Sequence, residues 1–130
     1  MNLLLLREGP KVVYIAGPFR GSDSYAEYKN IRVAEALSWR LWKKLSAWRP
    51  GCAVLCPHLN TAHFQSSLPD NVWLEGDLTM LARCDAVVLT RGWKRSAGAG
   101  IEAQKAHILG IPVLLECEVD GWMKKCDAAT

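Results

Sequence analysis

The sequence predicts a single α/β domain built on an open, mostly parallel sheet of four to five strands, with helices covering both faces. Three observations carry this. Short apolar runs rich in valine and isoleucine recur along the chain, at Lys11–Ala16 (KVVYIA), Asp85–Thr90 (DAVVLT) and Ile111–Glu116 (IPVLLE). Such unbroken runs suit parallel strands buried on both faces. Segments with helical period separate them, and alternation of the two kinds points to a parallel sheet between helical layers. Turn residues punctuate the joins, as at Gly17-Pro18 and Pro50-Gly51.

The first strand ends at Gly17-Pro18. A long helix follows, with Ile31, Ala34, Leu37, Leu41, Leu45 and Trp48 recurring every three or four residues on one face. Pro50-Gly51 stops it, and Cys52–Cys56 (CAVLC) reads as a second short strand closed by Pro57. Residues 58–72 have no clean period and read as a long loop, which in a compact domain is commonly functional or mobile. Val72–Arg83 reads as a helix with Trp73, Leu74, Leu78, Leu81 and Ala82 inward. The third strand is Asp85–Thr90, and a helix over Ala99–Leu109 ends at Gly110 before the fourth. The tail beyond Glu116 is too short to assign.

With 130 residues, half of them apolar, the chain is one domain with enough apolar residues for a core. A formal charge of +3 argues against a nucleic-acid polymer as partner and allows a local anion site. The six tryptophans are expected in the core or at a subunit interface. Five cysteines, at 52, 56, 84, 117 and 126, form an odd set without framework spacing, which favours free thiols in a cytoplasmic protein. Cys56, His58 and His63 match no common zinc spacing, so no metal is expected. The Leu3–Leu6 run is too short for a membrane span, and Arg7 and Glu8 end it without a cleavage-like segment.

In open parallel sheets, ligands bind beyond the carboxyl ends of the strands, where strand order reverses. Two glycine-rich segments fall at such ends: Gly17–Gly21 after strand one and Arg91–Gly100 after strand three. In the second (RGWKRSAGAG), Gly98 and Gly100 allow close backbone approach, and the following helix start attracts an anion. Ser96 can donate to a phosphate oxygen and Arg20 can offer a planar fork to the same group. Glu102 falls in the first helical turn on this reading, where an ordinary surface acid would also be at home. Asp77 and Asp85 are further acids near strand ends. Two carboxylates at one cleft are what glycosidic cleavage needs, one attacking the sugar and one managing the leaving group's proton. Tyr14, by default a core residue, could also reach such a cleft.

Three blocks resemble the nucleoside 2-deoxyribosyltransferase superfamily, in the family's order: YIAGPFRG from Tyr14, GDLTMLARCDAVVL from Gly76, and SAGAGIEAQKA from Ser96. They run from Tyr14 to about Leu115. The 2'-deoxynucleoside 5'-phosphate N-hydrolases are one similar branch. A set of small, often phage-encoded domains sharing GW-x-x-S-x-G-A-x-x-E is another, matched here by GWKRSAGAGIE with Trp93. The resemblance implies a flavodoxin-like sheet, a homodimer or larger assembly, and no cofactor. It implies Glu102 as nucleophile, Asp77 as the acid assisting base departure and Tyr14 orienting Glu102. It places Arg20, Ser96 and Gly98 at a phosphate, with Gly17, Trp93 and Gly100 beside the substrate. The expected activity is cleavage of the base–sugar bond of a nucleotide. Base exchange and a non-catalytic nucleotide-binding module are the alternatives. A dinucleotide-dependent reductase is disfavoured, because no G-x-G-x-x-G follows strand one.

Overall fold

A computed structural model describes residues 9–129; the Leu3–Leu6 run and its flanking Arg7 and Glu8 lie outside them. In chain order the elements are β1 (Val12–Ala16), α1 (Ser24–Trp48), β2 (Ala53–Leu55), α2 (Pro57–Asn60), α3 (Asp70–Leu81), β3 (Ala86–Leu89), α4 (Ala97–Ile108), β4 (Val113–Leu115) and α5 (Val119–Ala128). Single 3-10 turns occupy Trp93–Arg95 and Glu116–Glu118.

The four strands form one parallel sheet in the order β2-β1-β3-β4. The chain leaves β1 toward β2, then crosses back over β1 to reach β3, so strand order reverses between β1 and β3. The loops after these two strands therefore flank the crevice where open sheets bind ligands. This is the open parallel α/β sheet that the strand–helix alternation predicts, in the flavodoxin-like form that the resemblance implies.

Side chains alternate across each strand, so the sheet builds two cores. Val13, Ile15, Val54 and Val88 face α1 and α5, meeting Leu37, Leu41, Leu45 and Trp122. Tyr14, Ala16, Val87 and Leu89 face the other way, with Leu81 of α3 and Ala106 of α4. The predicted α1 stripe is the buried one, apart from the half-buried Ile31 and Trp48. Asp23 caps the helix by accepting from the Ala26 amide at 2.7 Å, and Gly51, at φ +84°, turns the chain into β2.

Several boundaries differ from the expectations. The stretch read as a loop over 58–72 holds most of α2 and the first turn of α3, leaving only 61–69 between them. Pro57 and Pro69 mark these starts, since proline suits a helix entrance. Ala82 lies on the exposed side of α3. The tail forms α5, anchored by Val119 and Trp122. Trp39 and Trp42 are exposed on the outer side of α1. All five cysteines carry free thiols. Among the described residues, no helix is long and apolar enough to cross a membrane.

Candidate active site

Tyr14 points from the middle of β1 toward α4, where its hydroxyl donates a hydrogen bond to Oε2 of Glu102. Both are enclosed: Tyr14 is fully buried and Glu102 is 7% exposed. Helix α4 starts at Ala97 with Ser96 as its cap, so Glu102 lies in the second turn, not the first. It is a buried carboxylate held by a phenol, and the surface-acid reading does not apply. Asp77, half-buried on α3, faces the same region, because α3 and α4 pack together.

Burial sets the electrostatics of this trio. It pushes Glu102 up to about 7; the Tyr14 hydrogen bond pulls it back and the Asp77 charge adds a smaller upward push. Burial likewise raises Asp77 to about 6. Tyr14 is held far above the usual phenol range, by burial first and then by the Glu102 and Asp77 charges. It is therefore a permanent donor. Two carboxyl groups poised near neutrality beside a fixed donor can divide nucleophile and acid roles, a pattern associated with catalytic sites.

The loop after β1 is fastened from both sides. A side chain on Gly17 would strike Oγ1 of Thr90 at 2.0 Å, so glycine there lets the β1 and β3 ends close on each other. Glycine at 17 is therefore required by internal packing. His58, only 4% exposed, brings Nε2 within 3.2 Å of the Gly17 carbonyl and 3.0 Å of the Pro18 carbonyl. Carbonyls only accept, so Nε2 carries a proton, and burial lowers the pKa and favours the neutral ring. Its Nδ1 has no partner among the described residues. Sequence reasoning considered His58 only as a metal ligand. No group of three His, Cys, Asp or Glu among the described residues could hold a metal.

Arg20 is already engaged by protein groups. Its guanidinium bonds Asp70, Glu27 at 3.1 Å and the Gln65 carbonyl at 2.8 Å. Two carboxylates around one guanidinium leave a local charge that repels an anion.

Beyond β3, Gly92 takes φ +80° and opens the Trp93–Arg95 turn. Ser96 spends its oxygen on the Ala99 amide at 3.1 Å, while its hydroxyl hydrogen remains free to donate. Gly98 and Gly100 have ordinary helical backbone, contrary to the unusual dihedrals expected; the positive-φ glycines are 51, 92 and 110. A side chain at Gly100 would meet nothing within 4 Å, and one at Gly98 only Ser96 Oγ at 3.9 Å. The approach to this end of α4 is open. Trp93 packs against the core cluster that holds Tyr14 and also lines a cleft of about 630 Å³ against α1. A second cleft, of about 380 Å³, lies between Pro18, Asn30 and the Thr90–Arg95 segment. Neither cleft is lined by Tyr14, Asp77 or Glu102.

Fold and site together define a flavodoxin-like α/β domain with a paired-carboxylate centre beside its β1–β3 switch point. The chain belongs to the family described as a domain of unknown function (DUF4406), whose profile matches residues 11–115. No curated protein matches it. Among solved structures it is similar to the 2-deoxyribosyltransferase of the psychrotolerant bacterium Bacillus psychrosaccharolyticus, at 24% identity and a TM-score of 0.53. That match covers 80% of this chain and 70% of the other, and it is a likeness of fold.

Proposed function

We propose that this protein is an N-glycosidase that cleaves the base–sugar bond of a nucleoside 5'-monophosphate through a covalent intermediate on Glu102. The observation that carries the reading is the buried Tyr14–Glu102 hydrogen bond, with Asp77 on the adjoining helix. The reactive form is the minor one in which Glu102, raised to about 7, is ionised and held by Tyr14 while Asp77, raised to about 6, keeps its proton. Glu102 attacks the anomeric carbon and Asp77 gives its proton to the departing base. The bond from sugar to base breaks as the bond to Glu102 forms. Water, losing its proton to Asp77, then releases the sugar phosphate and frees Glu102. The open start of α4 at Gly98 and Gly100 offers a path for substrate. The fold shared with a 2-deoxyribosyltransferase supports the same class of chemistry and also favours a second reading, in which another base replaces water as acceptor.

The test is incubation with a panel of nucleosides and 5'-monophosphates, with released base separated by chromatography, in the presence and absence of a free second base. Base release from monophosphates without acceptor supports hydrolysis. Mixed nucleoside products only when acceptor is added support exchange. No release from any member of the panel leaves a binding module.

A further inference from the structure

Of the arginines described, Arg20, Arg32, Arg40 and Arg49 are paired with Asp or Glu side chains. Arg91 and Arg95 have no acidic partner among the described residues, and neither has Lys94 between them. The segment RGWKR thus sets three unneutralised cations along one short loop at the switch point. Two of them, Arg91 and Arg95, line the 380 Å³ hollow with Pro18, Asn30 and Thr90. Its volume lies within the range of small-molecule sites.

The Arg95 guanidinium lies over Gly92, with Nη2 2.5 Å from where a Cβ at 92 would stand. Gly92 itself is required by its φ of +80°. Asn30 adds rigidity from α1: its amide donates to the Phe19 and Arg20 carbonyls and fixes the facing loop.

We infer that Arg91 and Arg95 form an anion subsite that takes a phosphate monoester in the hollow between the β1 and β3 loops. Two planar guanidinium forks balance one phosphate dianion. Arg20, already held between Asp70 and Glu27, offers no such balance. Assignment of this phosphate to a nucleotide substrate rests on the glycosidase reading; the anion site itself does not.

The probe is inorganic phosphate, titrated calorimetrically into the full chain at low ionic strength. Arg91→Ala/Arg95→Ala should weaken it roughly 10- to 100-fold, the range for lost charge-assisted hydrogen bonds. Arg83→Ala removes a charge just before β3, at the amino end of the strands, and should change affinity by no more than about twofold, because the attraction between charges weakens with distance. Circular dichroism checks the fold of each. If Arg20→Ala abolishes binding while the double variant retains it, or if the wild type fails to bind phosphate, the subsite is overturned. Phosphate binding without base release from any substrate keeps the subsite and ends the glycosidase reading. Base release from monophosphates that the double variant leaves unchanged does the reverse.

Discussion

Tyr14 and Glu102, 88 residues apart in sequence, meet in the interior through a hydrogen bond donated by the phenol to the carboxylate. The bond favours ionised Glu102 against the burial that disfavours it. Tyr14→Phe removes only this donor. Glu102 then rises further, and the attacking form is populated only at higher pH. The acid limb of the kcat/KM profile should move up by about one unit or more, as loss of a bond to a charged group implies. A pH–rate profile matching the wild type would show that Tyr14 does not tune Glu102.

How far this pairing is legible in the sequence depends on the range of the interactions involved. Strand runs and the α1 stripe are local patterns, and both reappear in the sheet and its first core. The roles of Tyr14, Asp77 and Glu102 came from block resemblance, since an acid six residues into a helix gives no local sign of burial. Arg20 looks available because the Asp70 that binds it is 50 residues away. Arg91 and Arg95 are visible in the sequence as RGWKR, yet only the fold shows that both line one hollow without an acidic partner. Helix α5 has no clear local signal because it is short and buries its apolar residues, Val119 and Trp122, against α1 and the sheet, which are distant in sequence.

Stability should carry the cost of the buried acid. Glu102 rises from an ordinary 4.5 to about 7, so between these values the folded state binds more protons than the unfolded chain. Stability contributed by protonated Glu102 is complete below pH 4.5 and falls as pH rises toward 7. Asp77 acts in the same direction over a lower window, from 3.8 to about 6. His58 opposes them: its folded pKa is lowered, so its contribution is present above 6.5 and is lost as pH falls. The wild-type curve therefore mixes opposing slopes, and the comparison with Glu102→Gln isolates one. At pH 8 the variant should be more stable by on the order of 2 kcal/mol, with the gain vanishing near pH 4.5. Urea denaturation at both pH values measures this. Equal stability at pH 8 would mean that ionised Glu102 is not strained by burial.

The C-terminal helix should be integral to the domain. Trp122 is buried against the sheet, with its ring 5.7 Å from that of Trp48 at the end of α1. Trp122→Ala should cost about 3–5 kcal/mol through lost burial and a residual cavity. The denaturation midpoint falls, and Tyr14, Asp77 and Glu102 on the other face are untouched at temperatures where the variant is folded. A loss below about 1 kcal/mol would show that α5 packs without anchoring.

Glu102→Gln tests the chemistry itself. The amide keeps the size and can still accept from Tyr14, and burial makes the neutral group welcome, so the fold survives. Phosphate affinity should be unchanged, because Arg91 and Arg95 line a hollow that Glu102 does not. Turnover should fall by several orders of magnitude, since covalent catalysis has no other group at that point. Asp77→Asn should cost less, because a base that leaves easily needs little protonation, and its deficit should shrink as the leaving base improves. The two variants thus give different signatures: one uniform across substrates, the other graded by leaving group. Rapid-quench measurement of released base over a series of bases distinguishes them. Near wild-type base release by Glu102→Gln would remove the nucleophile and leave the buried Tyr14–Glu102 pair as a structural contact.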